Sequence, residues 1–220
     1  MADRPGVWRA MLETQWKSTR GLMLFAALVM FAVPLFSLYT SVGARTDAIF
    51  IMTMQSWAVA YTLCAAGLGL LMGMQSWSQD HRLRHVYALS LPIPRWQFVL
   101  HRFTIGLLLL VLPMVTLFIG AEIVAHSSLV PQTLTAYPVA LTLRFVFATL
   151  VAYAVFFSIS SATARTAGYI LGAVTVVFAG QILLSAIGVR LDLAGRFADL
   201  VLASPGLLAV FSGRWMLIDV

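Results

Sequence analysis

Five apolar stretches, at 21–42, 49–75, 103–125, 137–162 and 167–188, carry between them only two charged residues, Glu122 and Arg144. Each is long enough to cross a hydrocarbon layer of about 30 Å as a helix. A backbone in lipid has no water to bond, so such runs read as helices that satisfy their own N–H and C=O groups. A transmembrane β-barrel is excluded, because its strands alternate apolar and polar residues. Composition agrees: 61% of the residues are hydrophobic and 10% charged, against about 25% charged in an ordinary soluble domain. The expected fold is all-α, a polytopic transmembrane helical bundle forming a single domain over 1–220.

The segments between the runs divide the chain further. Val7, Trp8, Met11, Leu12 and Trp16 recur at helical spacing over 4–20, with Arg9, Glu13, Lys17 and Arg20 elsewhere around the wheel. That pattern predicts a helix lying in the membrane interface. Pro34 and Pro113 are expected to kink the first and third spans. Arg190, Asp192, Arg196 and Asp199 make 189–206 an amphipathic extracellular stretch broken by Ser204, Pro205 and Gly206. Residues 207–220, with Arg214 and Asp219, read as a partial or shortened sixth span.

A net charge of +6 suits the flanks of membrane spans better than a nucleic-acid surface, so the expected surroundings are the lipid bilayer, with no nucleic acid. Four basic residues precede the first span and four lie between the second and third, whereas Arg45 stands alone in the first opposite loop. By the positive-inside rule the N-terminus is cytoplasmic and the protein is a multi-pass component of the cell (inner) membrane. The polar first twenty residues are not expected to form a cleavable signal peptide. Cys64, the single cysteine, sits in an apolar run as a small packing residue.

Catalytic constellations are missing. A phosphate-binding P-loop needs Gly-Lys-Ser/Thr at a helix start, and the one lysine, Lys17, follows Trp16. There is no His-Glu-x-x-His pair and no Gly-x-Ser-x-Gly elbow. His81 and His85 are four apart but have no evident third ligand, which favours a solvated basic helix over a metal site. No catalytic residue, no metal site and no cofactor is therefore assigned to this chain. Two sets of small residues, Ala65, Gly69 and Gly73 in the second span and Gly168 and Gly172 in the fifth, predict close helix packing. Glu122 and Arg144 are candidates for a substrate path, although both also suit positions at the membrane interface.

The most informative segment is 77–102. Residues 80–95 combine Asp80, Arg82, Arg84, Val86, Leu89 and Leu91 in a short basic amphipathic helix, followed by a turn stiffened by Pro92 and Pro94 before Arg95. A helix protruding between two spans on the cytoplasmic side is a handle on which an outside force can act. Here the chain resembles the permeases of the ABC-2 family, the membrane subunits of type V ABC exporters. Asp80 stands at the family's acidic position, Leu91-Pro92-Ile93-Pro94-Arg95 matches its Leu-Pro-x-x-Arg motif, and Arg102 stands at the basic position ten residues beyond Pro92. Ser204-Pro205 falls where the family often has Ser-Pro in an extracellular hairpin. Leu83-Arg84 replaces the usual Gly-Thr, and the family's sixth span is either truncated here or shortened into 207–220.

The resemblance implies a non-catalytic permease subunit that pairs as a homodimer, or as a pseudo-symmetric heterodimer with a second permease. It implies a separate cytoplasmic ABC ATPase, carrying ATP and Mg, docked on the handle through Asp80, Arg82, Arg84, Val86, Leu89, Leu91, Pro92 and Arg95. A rival reading from another class is a self-powered secondary transporter or an accessory membrane subunit. Secondary transporters usually show internal repeats, broken helices and ionisable groups at mid-membrane, and none of these is clear.

Overall fold

The computed structural model describes residues 4–44, 46–82, 94–161, 208–211 and 215–219, and the single positions Tyr169, Gly172, Val176, Gly180 and Arg196. Most of the predicted fifth span, residues 83–93 of the handle and most of 189–206 lie outside the described residues. Two compact units divide the chain, one formed by 1–157 with 214–220 and the other by 158–213. The description below concerns the first.

Helix α1 runs Arg4–Ser41, α2 Asp47–Ser56, α3 Ala58–Arg82, α4 Arg95–Ala125 and α5 Pro138–Ser161. The protein is mostly helical, and among the described residues four helical segments are long and apolar enough to cross a membrane: Trp8–Ser41, Asp47–Trp77, Trp96–Ala125 and Pro138–Ser161. Two short strands, β1 (Thr135–Ala136) and β2 (Ile218–Asp219), pair antiparallel with Thr135 opposite Asp219 and Ala136 opposite Ile218.

Three sequence boundaries are corrected. The helix expected to end at residue 20 continues without a break into the first span. Polar groups on one of its faces are satisfied inside the fold: Gln15 Nε2 donates to Ser76 Oγ at 3.1 Å and Gln75 Nε2 to the Ser18 carbonyl at 3.1 Å. Met11, Gln15, Thr19 and Met23 form one buried stripe at the four-residue spacing of a helix face. Polar pairs of this kind join helices where lipid supplies no hydrophobic drive.

The second span is bent at Trp57, which separates α2 from α3. The Trp57 N–H donates to the Met54 carbonyl at 3.2 Å, a tightened turn, and Tyr61 N–H donates back to the Trp57 carbonyl at 3.1 Å, so the helical path resumes. Trp57 Nε1 holds Thr40 Oγ1 at 3.0 Å, which fixes the bend against the end of α1. Thr46 caps α2 by accepting from Ile49 N–H at 3.4 Å. In the preceding turn Gly43 adopts φ +100°, a conformation glycine reaches without the Cβ penalty.

The third correction is at the C-terminal end. Residues 215–219 do not form a shortened helix: Ala209–Phe211 is a single 3-10 turn and Ile218–Asp219 is strand β2. The Tyr137 N–H donates to the Leu217 carbonyl at 2.8 Å, extending the pairing by one residue. An apolar run this short, ending in Asp219, gains more by burying Trp215, Leu217 and Ile218 against the bundle than by starting a span it cannot complete.

The core lies along the helix contacts. Helices α1 and α4 share an extensive interface. They approach closely at Gly120, where an added Cβ would stand 2.7 Å from the Phe31 carbonyl oxygen and 3.4 Å from Pro34. The small-residue stripe of α3 packs on α5. A Cβ at Gly69 would meet Ala152 and Tyr153, and one at Gly73 would meet Phe156 and Phe157. The common offset means that α3 and α5 run parallel. Ala65 continues the stripe, fully buried.

Candidate coupling site

The end of α3 and the start of α4 flank the handle, and both are built into one end of the bundle. Trp77 closes the apolar part of α3 and is 5% exposed. Arg102, about two turns into α4, is 9% exposed, and its guanidinium carbon lies 5.2 Å from the ring centres of both Trp77 and Phe98. A planar guanidinium held between aromatic faces ties α3 to α4 more rigidly than a flexible ammonium would. Behind it lies an aromatic cluster. Trp77 meets Phe157 at 5.2 Å, Phe103 stacks on Tyr153 at 5.1 Å, and Tyr153 donates to the Phe103 carbonyl at 3.2 Å. Gly106 leaves room for the Tyr153 hydroxyl, since a Cβ there would collide with it. The Gln15–Ser76 and Gln75–Ser18 bonds bring α1 into the same assembly. One end of the bundle therefore has α1, α3, α4 and α5 locked around the two ends of the handle.

The handle residues themselves are placed as follows. Asp80 and Arg82 occupy the last turn of α3, and Arg95 is the first residue of α4, all with helical backbone. Arg84, Val86, Leu89, Leu91 and Pro92 lie outside the described residues. Pro94, extended at φ −57° and ψ 140°, precedes α4, and its carbonyl accepts from Gln97 and Phe98 N–H at 3.0 and 3.1 Å. Proline cannot continue a helix backwards here, so the turn and the helix start are set together.

At the opposite end, the two proposed path residues are engaged separately. Glu122 sits one turn before His126, whose Nδ1 is 3.5 Å from the carboxylate and 2.9 Å from the Glu122 carbonyl. Arg144 lies over the Trp215 ring at 5.2 Å. Of the fifth-span pair, Gly168 is outside the described residues. At Gly172 an added Cβ would meet nothing within 4 Å among the described residues. Sequence reasoning missed Gly106 and Gly120, which lack a four-residue stripe. It also missed the buried Trp215, whose position depends on a partner strand distant in the chain.

Among the described residues no group of three or more His, Cys, Asp or Glu could hold a metal ion. A groove of about 160 Å³ between α1 and α3 is lined by apolar side chains, including Phe25, Met30, Leu68 and Leu71, and by the free thiol of Cys64. Compared with known protein families, characterised proteins and solved structures, the chain matches none.

Proposed function

We propose that the chain is the membrane-spanning permease subunit of an ATP-driven exporter, working as a dimer with a separate ATPase docked on the 80–95 handle. The observation that carries this reading is the pattern from Asp80 to Arg102, whose two flanks stand in one locked end of the bundle. A push on the handle would reach α3 through Trp77, α4 through Arg102, α1 through Gln15 and Ser76, and α5 through Phe157. Spans tied in this way change packing between discrete arrangements rather than bending continuously. ATP and Mg belong to the partner, and this chain supplies the path and the lever. The family resemblance carries the direction of transport, outward.

A fifth span at 167–188, read from its uncharged apolar run, belongs to this reading. The N-terminus and the handle then face the cytoplasm, and the C-terminal strand faces outside.

Two measurements test the proposal. On a Cys64→Ser background, an impermeant thiol reagent applied from outside is expected to label cysteines at positions 45 and 128 and to spare one at 85. The opposite pattern overturns the topology. Affinity purification of the full chain from its native membrane is expected to bring down a nucleotide-hydrolysing subunit whose ATPase activity the chain modulates. Transport by the purified chain alone in liposomes, driven by an ion gradient, would instead establish the secondary-transporter reading.

A further inference from the structure

The helical segment Asp47–Trp77 is longer than one crossing needs. Along α1 the rise from Arg20 to Thr40 is about 30 Å, which matches the thickness of the hydrocarbon layer. Trp57 Nε1 donates to Thr40 Oγ1 at 3.0 Å, and one turn further on the Tyr61 hydroxyl lies 3.5 Å from Ser37 Oγ, so α3 runs antiparallel beside α1 from that level. The stretch from Trp57 to Trp77 rises about 30 Å and completes the crossing. Thr40 and Trp57 therefore stand at the level of the lipid headgroups, where tryptophan is enriched, and α2 stands at or beyond it. Asp47, at the start of α2, accepts from Thr133 Oγ1 at 2.6 Å in the same polar layer.

An open groove of about 520 Å³ lies at this level. Along the chain its lining passes from Thr53, Ser56 and Trp57, with Thr40 beside them, to Val59 and Leu63. The last two are 64% and 66% exposed and share one face of α3 as it enters the hydrocarbon. The groove is thus polar at headgroup depth and apolar below, the profile of an amphiphile. Its hydroxyl protons are engaged within the helices: Thr53 donates to the Ile49 carbonyl at 2.9 Å, Ser56 to the Thr53 carbonyl at 2.6 Å and Thr40 to the Ser37 carbonyl at 3.0 Å. The Trp57 N–H is engaged by Thr40. The hydroxyl oxygens keep acceptor capacity, and the indole adds a π face that attracts cations. No charged residue lines the groove. Acceptors without donors complement a cation that carries N–H groups and repel an anion.

We propose that this groove holds a membrane phospholipid with a primary ammonium headgroup. The ammonium donates to Thr53 Oγ1 and Ser56 Oγ beside the Trp57 ring, the phosphate faces interfacial water, and an acyl chain lies along Val59 and Leu63. A quaternary ammonium has the charge but no N–H, so it binds less well. The site rests on the long helices being membrane spans and not on the ATP-driven reading, and its test involves neither an ATPase nor transport.

The test uses the full chain carrying fluorotryptophan in nanodiscs of phosphatidylcholine, with the Trp57 fluorine resonance assigned by its loss in Trp57→Phe. Replacing part of the phosphatidylcholine with phosphatidylethanolamine is expected to shift that resonance and to saturate at a low mole fraction. Thr53→Val with Ser56→Ala removes both acceptors and should raise the fraction needed for half-saturation by about tenfold or more, because two hydrogen bonds to a charged group are lost. Ser56→Ala alone should act in the same direction and carries the comparison if the double variant fails to fold. Phosphatidylglycerol, whose headgroup has hydroxyls but no ammonium, should leave the resonance in place. A shift that grows in proportion to the mole fraction and survives the substitutions reports only the bulk headgroup layer and overturns the site, as does the absence of any shift. An equal shift produced by ethanolamine in solution overturns the lipid as occupant.

Discussion

Replacing Gly69 with alanine is expected to destabilise the protein by about 1–3 kcal/mol, the usual cost of forcing extra atoms into a packed contact. The added Cβ would stand 2.5 Å from the Ala152 Cβ and 2.7 Å from the Tyr153 backbone nitrogen. Backbone cannot rotate away, so α3 and α5 must separate along their length. Gly73→Ala should behave alike, with its Cβ 2.8 Å from the Phe157 nitrogen and 2.9 Å from the Phe156 carbonyl carbon. Gly67 supplies an internal control on the same helix, because a Cβ there meets nothing within 4 Å. Gly67→Ala should gain up to about 1 kcal/mol from helix propensity. Unfolding in detergent, followed by helical signal against added denaturant, compares the three. A double-mutant cycle adds Ala152→Gly, which removes the nearest atom and should rescue part of the Gly69→Ala loss. Equal stability of the Gly67 and Gly69 variants would place α3 and α5 further apart than described.

The features legible in the sequence are those governed by local chemistry. Long uncharged runs specify helices long and apolar enough to cross a membrane, and a four-residue repeat of small residues marks the face of α3 that lies on α5. Where the reading failed, the deciding interaction was distant in the chain. Helix α1 could not be seen to continue through residue 20 without knowing that Gln15 meets Ser76. A sequence window records Gln15 as polar and assigns it to the membrane surface. The bend at Trp57 depends on Thr40, and the C-terminal run looked like the start of a helix because its partner, Thr135–Ala136, carries no strand signal of its own. Gly106 and Gly120 were invisible for a related reason. A single glycine in an apolar run acquires meaning only from what crosses it, here the Tyr153 hydroxyl and the Phe31 carbonyl.

Reversing the charge of Arg84 or Arg95 to glutamate is expected to leave the protein in the membrane and uncouple it from its ATPase. If the 80–95 helix docks in a groove on that partner, Val86, Leu89 and Leu91 supply the apolar contacts and the arginines set register and orientation. Interfaces concentrate their energy in a few central residues, and truncating one commonly costs about 2 kcal/mol or more, roughly thirtyfold in affinity. Transport and substrate-stimulated ATP hydrolysis should therefore fall together. Arg45→Glu, on the opposite side of the membrane in the proposed topology, should change neither. The competing account is that these arginines only meet anionic lipid headgroups, worth about 1 kcal/mol each. In that case reversal would alter insertion and leave ATPase association intact. A second comparison separates docking from transmission. Arg102 lies between Trp77 and Phe98 and is buried. Arg102→Gln keeps the 80–95 face unchanged but loosens the tie between α3 and α4, so the ATPase should still co-purify while transport per ATP hydrolysed declines. The two phenotypes, loss of the partner with Arg84→Glu and loss of yield per ATP with Arg102→Gln, distinguish a lever from a mere anchor. Full partner retention and full transport in both variants would remove the handle from the mechanism.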